Sequence, residues 1–396
     1  MLFGEARNFA RLTPCKIECK AAIRKAASET VTGSSPVTLE VITVIYDGKN
    51  LYTEKEENSL KHKKAYLDSV YKFIQNGQAS ARDERDRYID PQKLSENPDF
   101  YRSQFMSVVG IPDFDRSETP NFKREFVGRD DMCEIYRISV EVLTDFWFYG
   151  VLMLPENAKG PLPLVIAQHG GGGTPEYCSD MYGENNYSNF TRRALAQGFA
   201  VFAPCLLLWS FDINTGEKFP KFDLPFNRMQ IDRELSKLGT SIIGLEIFCI
   251  MRCIDLLSTF EQIDGGKIGM MGLSYGGFFS LYTAAADTRI KSIYSAAAFN
   301  DRDRVFLGDF VWRGQSAKFH DAEVAGLCCP RSLIIDVGKS DPVFDGSFAG
   351  DEAARAEKYY KYQSAEQKFT FNLWDGEHKF DTESGNFDRF FEEIKK

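Results

Sequence analysis

The sequence lacks the runs of like residues that mark several large classes of protein. No stretch approaches the roughly 18 consecutive apolar residues of a membrane-spanning helix, and residues 1–10 lack the apolar core of a secretory signal. Lysine and arginine form no dense cluster, and the net charge of −9 has the wrong sign for binding a phosphate backbone. We therefore expect a cytoplasmic protein with no membrane span and no nucleic-acid partner.

Histidine is scarce, and cysteine is not paired as in metal sites. The chain has four histidines and nine cysteines, and it contains no C-x-x-C motif. The odd cysteine count, and the position of Cys205, Cys249 and Cys253 within apolar runs, favour buried thiols over a disulfide framework. We expect neither a structural metal nor a cofactor.

The length of 396 residues exceeds that of one ordinary domain, and 43% hydrophobic and 27% charged residues are typical of a folded globular chain. Breaker residues end a segment 1–38 that we interpret as a loose tail or linker. Residues 39–134 are predicted to form an extension that wraps the core, with a short strand at 41–46. Its one clear helix begins at a capping box at Thr53 and is predicted to end at 76–77.

From residue 135 onward, strand and helix patterns alternate. The apolar runs 135–142 and 146–154 predict a hairpin. Beyond them, the predicted strands are 162–167, 199–203, 267–271, 290–297, 332–337 and 368–374, and the predicted helices are 187–197, 243–257, 276–286 and 352–362. This alternation predicts an α/β domain over 135–396 with a mostly parallel central sheet, helices on both faces and an insertion at about 205–237.

A G-x-S-x-G motif lies between a predicted strand and a predicted helix. The serine is Ser274, and the glycines are Gly272 and Gly276. A serine on a strained strand-to-helix turn needs glycine two residues away on either side, because larger side chains would collide with the neighbouring backbone. Ser274 is therefore the predicted nucleophile.

Four consecutive glycines follow the predicted strand 162–167 and His169. Glycine lets bare amide groups approach the negative oxygen of a tetrahedral intermediate, so we predict that Gly171 or Gly172 donates to it together with the amide of Tyr275. No Lys-Ser/Thr pair and no G-x-G-x-x-G pattern accompanies this loop, which disfavours a phosphate cradle or a dinucleotide site. His169 itself is predicted to hold the loop, with substrate contact as a secondary possibility.

A serine hydroxyl needs a base to take its proton. His378 follows the last predicted strand, where a loop can hold an imidazole over the serine, and we predict it to be the base. His320, in a polar connection between strands, is the rival, whereas His62 lies in a charged helix.

The acid that orients this histidine is expected between serine and histidine in the sequence, just beyond a strand end. Asp341 in the segment 338–344 meets this requirement and is our prediction. Asp301, Asp345 and Asp375 remain rivals.

Together these motifs give the chain a family resemblance. From about residue 135 to the end, it resembles the α/β-hydrolase superfamily, and the His-Gly-Gly loop, GKSDPVF at 338–344 and GEHKF at 376–380 resemble the acetyl xylan esterase-like and dienelactone hydrolase-like branch. The resemblance implies ester hydrolysis without a cofactor, often of acyl groups on sugars, and an extension before the sheet. Dienelactone hydrolases use a cysteine where this chain has Ser274, and relatives carry a short Arg-Gly loop where this chain has its insertion.

The insertion is rich in aromatic residues, namely Trp209, Phe211, Phe219, Phe222 and Phe226. We predict a lid or an acyl-pocket wall, with Trp209 and Phe211 as substrate-binding residues, while core filling under a surface loop remains equally open.

We expect a serine carboxylesterase that acts on a small-molecule ester, with short acyl groups, neutral alcohols and acetylated sugars favoured. A peptidase of the prolyl oligopeptidase type shares this order of residues, although the chain shows no N-terminal repeats. A non-catalytic binding protein on the same fold is the alternative from a different class. A homo-oligomer remains compatible with the sequence.

Overall fold

The computed structural model describes residues 51–156, 160–183, 185–208, 226–305 and 308–396. The chain divides into two compact units, Met1–Lys63 and Lys64–Lys396. The first unit is described only at residues 51–63, which are exposed and include the start of a helix. The predicted tail 1–38 and strand 41–46 lie outside the described residues, and the domain boundaries at 38 and 134 stay predictions.

A nine-stranded sheet forms the centre of the second unit. Its spatial order is β1-β2-β3-β5-β4-β6-β7-β8-β9. Antiparallel pairs join β1 to β2, β2 to β3 and β3 to β5, and the remaining pairs are parallel. The strands are β1 Phe122–Arg129, β2 Cys133–Leu143, β3 Phe146–Pro155, β4 Leu162–Gln168, β5 Ala200–Pro204, β6 Ile263–Leu273, β7 Ile290–Ala296, β8 Ser332–Gly338 and β9 Phe369–Trp374.

Helices cover both faces of the sheet. Successive residues of β4 alternate between two hydrophobic cores: Leu164 and Ile166 belong to one, Val165 and Ala167 to the other. The helices are α1 Glu56–Tyr88, α2 Pro91–Glu96, α3 Pro98–Val109, α4 Pro175–Cys178, α5 Phe190–Ala196, α6 Arg228–Lys237, α7 Ile242–Leu257, α8 Tyr275–Ala286, α9 Asp321–Cys328, α10 Gly346–Tyr362 and α11 Asn386–Lys395. The first core includes residues of α3, α7, α8, α9 and α10, and the second includes residues of α5 and α11.

The predicted α/β architecture is confirmed. The predicted hairpin is β2 and β3, and each later predicted strand and helix is present with ends shifted by a few residues. Helix α7 illustrates why the pattern was predictive. Ser241 caps its first turn by accepting a hydrogen bond from the amide of Gly244, and the isoleucines at three- and four-residue spacing are buried.

Three of the differences from expectation in the extension and the loops have a direct physical reason. α1 continues past Gly77 to Tyr88, because a single glycine costs only about 1 kcal/mol in a helix and good helix formers follow it. β1 was not predicted, because its side chains are mostly exposed and show no burial pattern. α9 forms where we expected a polar connection, and its acidic residues Asp321 and Glu323 are buried against arginines.

The seven cysteines within the described residues are free thiols, and Cys249 and Cys253 are buried as predicted, whereas Cys205 is only partly buried. Among the helices of the described ranges, none combines the length and apolar character needed to cross a membrane.

Candidate active site

Ser274 lies between the end of β6 and the start of α8. Its backbone has φ 60° and ψ −122°, a strained conformation for a residue with a side chain. Its amide donates to the carbonyl of Ala296 at the end of β7, at 2.9 Å. The turn therefore holds the serine at the carboxyl edge of the sheet, where ligands bind in open α/β folds.

The two glycines of the motif are required by close backbone contacts. A Cβ on Gly272 would lie 2.3 Å from the carbonyl carbon of Gly276, and a Cβ on Gly276 would lie 2.0 Å from the carbonyl oxygen of Gln168. Real Cβ contacts are never this short. The structure thus supplies the steric reason that the sequence pattern predicted.

His378 and Asp341 form a pair on the loops after β9 and β8. The imidazole Nδ1 lies 2.8 Å from Asp341 Oδ2, and Asp341 Oδ1 accepts hydrogen bonds from the amides of Val343 and Phe344 at 2.8 and 3.0 Å. The carboxylate is fully buried, while 22% of the imidazole is exposed. The Phe344 ring stacks on the imidazole at 5.8 Å between centroids. These contacts fix the ring so that its other nitrogen, Nε2, is left for another partner.

The glycine loop, residues 170–173, packs directly against the turn 272–276 that carries Ser274, which we call the elbow. A Cβ on Gly170 would lie 2.5 Å from the carbonyl oxygen of Leu273 and 3.1 Å from Cβ of Ser274. The Gly170 amide donates to the hydroxyl of Tyr187 at 2.8 Å, and the Gly173 amide donates to the carbonyl of Gly170 at 3.1 Å. Two of the four glycine amides are thus engaged within the protein, and the donors predicted at positions 171 and 172 stay predictions.

His169 lies behind this loop. It is fully buried, its Nε2 accepts from the amide of Leu206 at 2.9 Å, and its Nδ1 lies 3.0 Å from the carbonyl of Gly170, to which it donates. Burial lowers the pKa of His169 to about 4, so the ring is neutral near pH 7. These contacts agree with the predicted role of holding the loop, and the substrate contact considered for His169 stays a prediction.

Ser274 and His378 open onto one cavity of about 670 Å³. Of the two glycines predicted to donate to an oxyanion, Gly171 lines it, whereas Gly172 is not among the described lining residues. The described residues that line the cavity are Gly170, Gly171, Asn185, Asn186, Tyr187, Ser188, Leu273, Ser274, Tyr275, Val343, Phe344, His378 and Lys379.

Part of this lining could not be assigned from the sequence. Tyr187 and Ser188 lie in the stretch that we interpreted as the start of a helix, but α5 begins only at Phe190. No sequence signal links the hydroxyl of Tyr187 to the glycine loop. The predicted substrate-binding residues Trp209 and Phe211 lie outside the described residues.

The rival acids have other partners. Asp345 caps α10 and accepts from the amide of Ser347 at 2.9 Å. Asp375 is exposed and pairs with Lys339 at 2.8 Å. Only Asp341 among the four candidates contacts His378 in the described part of the chain.

The rival histidine, His320, belongs to a separate buried ion cluster. Its Nδ1 lies 3.5 Å from Asp301, and its Nε2 lies 3.5 Å from Asp303. Burial alone would lower the pKa of His320, but the two carboxylates raise it to about 9. The candidate ligand atoms of Asp301, Asp303 and His320 lie within 4.8 Å of one another, a spacing that could hold a metal ion. Here, however, the carboxylates face opposite ring nitrogens, and a protonated imidazole has no lone pair for a metal, so the arrangement favours an ion triad.

This cluster predicts a specific pH dependence of stability. The pKa of His320 in the folded protein, about 9, exceeds the ordinary value of 6.5. The protonated ring therefore adds its full contribution to the free energy of unfolding below about pH 6.5, and this contribution is lost as the pH rises through about 9. The contribution is on the order of 3 kcal/mol. In urea titrations at pH 6.5 and 9, His320→Gln should lose most of its stability deficit at the higher pH, and His62→Gln, on the exposed start of α1, should track the wild type. A deficit that is equal at both pH values would contradict the assignment.

Parts of the sequence are similar to known proteins. Residues 252–332, which contain Ser274, match the X-Pro dipeptidyl-peptidase (S15) family. A provisionally named hydrolase of Bacillus subtilis (strain 168), YtaP, is 25% identical over 199 residues, which are 47% of this chain and 63% of that protein. The match thus spans less than two thirds of the relative's length. These matches support an enzyme of the hydrolase class.

Solved structures resemble the chain over a larger share of its length. A provisionally named acetyl xylan esterase from Bacteroides fragilis NCTC 9343 has a TM-score of 0.59 at 16% identity and covers 75% of this chain and 80% of its own. A glucuronoyl esterase from Solibacter usitatus has a TM-score of 0.55 at 14% identity, with 78% and 94% covered. The resemblance inferred from the motifs is therefore borne out at the level of architecture, and the chain has the fold of the α/β-hydrolase superfamily.

Proposed function

We propose that the chain is a serine hydrolase that cleaves carboxylic esters through an acyl-enzyme. The observation that carries the proposal is the Asp341–His378 pair, whose imidazole shares one cavity with Ser274 on its strained turn. The glycine loop and Tyr275 at the start of α8 line the same cavity. Nucleophile, base, orienting acid and amide donors are the parts that acyl transfer requires.

The reaction proceeds in two halves. Ser274 Oγ attacks the ester carbonyl while Nε2 of His378 takes its proton, and Asp341 stabilises the imidazolium. The amides of Tyr275 and Gly171 donate to the oxygen that becomes negative. The intermediate then collapses, and the departing alcohol receives the proton from His378. Water repeats the sequence on the acyl-enzyme, which releases the acid and restores Ser274.

Short acyl groups on neutral, sugar-like alcohols are the proposed substrates. The solved structures of similar architecture carry the names of esterases, one for acetyl xylan and one for glucuronoyl esters, which supports an ester of a carbohydrate. The net charge of −9 disfavours anionic alcohols at long range. The aromatic residues predicted to limit the acyl pocket, Trp209 and Phe211, lie outside the described residues, so the short-acyl preference rests on the sequence.

A peptidase is the second candidate, favoured by the match to the X-Pro dipeptidyl-peptidase family. Removal of an N-terminal dipeptide calls for a carboxylate that pairs with the free ammonium group of the substrate. None of the described residues that line the cavity is acidic. This lining therefore favours cleavage of an ester over removal of a dipeptide.

The two candidates are separated by a substrate series. We expect kcat/KM for p-nitrophenyl acetate to exceed that for the octanoate by roughly tenfold, because each methylene that fits gains only about 0.8 kcal/mol whereas one that does not must displace side chains. Acetylated xylo-oligosaccharides should release acetate, and Gly-Pro-p-nitroanilide should remain intact. Trp209→Ala should relax the preference for acetyl.

Three results would count against this proposal. A steady rise of kcat/KM from acetyl through butyryl to octanoyl would refute the short pocket. An unchanged profile in Trp209→Ala would assign that ring to core filling. Turnover of the anilide with no ester turnover would favour the peptidase.

A further inference from the structure

A buried ion network lies behind the elbow. The guanidinium of Arg228 donates from Nε to Asp309 Oδ2 at 2.6 Å, and from Nη1 and Nη2 to the two oxygens of Glu246 at 2.9 and 2.7 Å. The hydroxyl of Tyr275 donates to the other oxygen of Asp309 at 2.7 Å. All four side chains are buried. Arg228 is thus joined through one carboxylate to the residue that follows Ser274.

The same network also reaches the glycine loop. Arg228 Nη1 also donates to the carbonyl of Leu207 at 3.0 Å, and the amide of Leu207 donates to Glu246 at 2.9 Å. The preceding amide, that of Leu206, donates to Nε2 of His169, whose other nitrogen holds the carbonyl of Gly170. A chain of hydrogen bonds therefore runs from Tyr275 to the glycine loop.

Stability alone does not explain such a network. Removing one guanidinium and two carboxylates from water costs several kcal/mol per ion, and apolar residues of similar size often replace buried ion pairs without loss of stability. The groups joined here are the two predicted sources of oxyanion donors, Tyr275 and the glycine loop. Displacements of about 1 Å at such donors cost large factors in rate.

We propose that Arg228 is a positioning residue that, with Glu246 and Asp309, fixes Tyr275 relative to the glycine loop and so sets the spacing of the two oxyanion donors. The inference rests on the proposed serine hydrolase function. Arg228 acts through Asp309 and through the Leu206–Leu207 backbone, and it takes no part in bond making.

Tyr275→Phe tests the link at its point of contact with the elbow, because it removes only the hydroxyl that Asp309 accepts from. α8 contains a matched control. Tyr282 is also buried on α8, and its hydroxyl donates at 2.9 Å to Asp321, which pairs with Arg302 as Asp309 pairs with Arg228. Tyr282→Phe therefore makes the same chemical change in the same helix, away from the cavity.

For p-nitrophenyl acetate, Tyr275→Phe should lower kcat and kcat/KM together by about tenfold, because a displaced Tyr275 amide weakens the oxyanion contact that forms only in the transition state. The inhibition constant of a phenylboronic acid, which forms a tetrahedral adduct with the serine, should rise by the same factor. Tyr282→Phe should match the wild type in kcat and in boronate affinity. Equal kinetics of the two variants, with whatever loss in Tm, would overturn the positioning role.

Arg228→Lys keeps the charge but not the fork that binds two carboxylates. It should reproduce the kinetic loss of Tyr275→Phe, and the double variant should lose no more than the larger single loss, because both changes interrupt one path. Losses that multiply would overturn the shared path. If Arg228→Lys does not fold, the comparison of Tyr275→Phe with Tyr282→Phe decides alone.

Failure of the inference and failure of the proposed function give different results. A wild-type chain that is labelled by a fluorophosphonate and hydrolyses the acetate, with Tyr275→Phe and Tyr282→Phe alike, overturns the positioning role and leaves the proposed function standing. A wild-type chain that is neither labelled nor active overturns the proposed function, and the inference with it.

Discussion

Ser274→Ala is expected to abolish ester turnover, with a loss of about 10⁶-fold in kcat, because the remaining amide donors and binding contacts provide only a small residual acceleration. The strained backbone of this residue should be unaffected, since alanine keeps the Cβ that Ser274 already places there. The Tm should therefore stay close to that of the wild type. Stopped-flow release of p-nitrophenol and labelling by a fluorophosphonate measure the loss.

Ser280→Ala is the matched control for this variant. Ser280 lies in α8, the helix that follows Ser274, and is buried, and its hydroxyl donates to the carbonyl of Gly276 at 2.8 Å. Its loss should leave kcat within about twofold of the wild type. Equal labelling of the wild type and Ser274→Ala would refute the nucleophile, and labelling of neither, with no turnover, would favour a binding protein on this fold.

The inner parallel strands of the central sheet could be predicted from the sequence because they are buried on both faces. Continuous apolar runs such as those of β4 and β5 have no polar face, and the breakers between strands mark where helices must cross. The elbow could be predicted for a related reason. Its requirement is local and steric, so two glycines at fixed distances from Ser274 record it in the sequence.

The contacts that join distant parts of the chain could not be predicted. The hydroxyl of Tyr187 accepts from Gly170 across 17 residues, and Arg228 pairs with Asp309 across 81. A tyrosine in an apparent helix and an arginine within an insertion look like ordinary surface residues until the fold places them. Helix α9 was missed for the same reason, since its two acidic residues are buried where arginines from other segments reach them.

The acid that orients His378 could be predicted only in part from the sequence. Strand order narrowed the candidates to loops at one edge of the sheet, but spacing alone does not separate Asp341 from Asp301, Asp345 and Asp375. The candidates are distinguished only by the side chains that each of them contacts in the fold. His378 lies 2.8 Å from Asp341, whereas Asp301 faces His320 in the buried triad.

Asp341→Asn is therefore expected to lower kcat by about 10⁴-fold. The asparagine carbonyl can still accept from the amides of Val343 and Phe344, as Asp341 Oδ1 does now, so the loop should keep its shape. Its NH₂ group would then face Nδ1 of His378, which must turn from donor to acceptor. The single proton of the neutral ring moves to Nε2, where the base needs a lone pair, and the imidazolium loses its counter-charge.

Asp301→Asn is the control of the same chemistry. It removes the charge of Asp301 that pairs with His320, so it should lower the free energy of unfolding. Asp301 contacts neither His378 nor the described lining of the cavity, so kcat should change by no more than a few-fold. Measuring kcat beside urea midpoints separates the two effects, because Asp341→Asn should lose activity with little loss of stability. The reverse order, a large loss of kcat in Asp301→Asn and a small one in Asp341→Asn, would place the acid on the loop after β7 and would make the 2.8 Å contact of His378 a structural one.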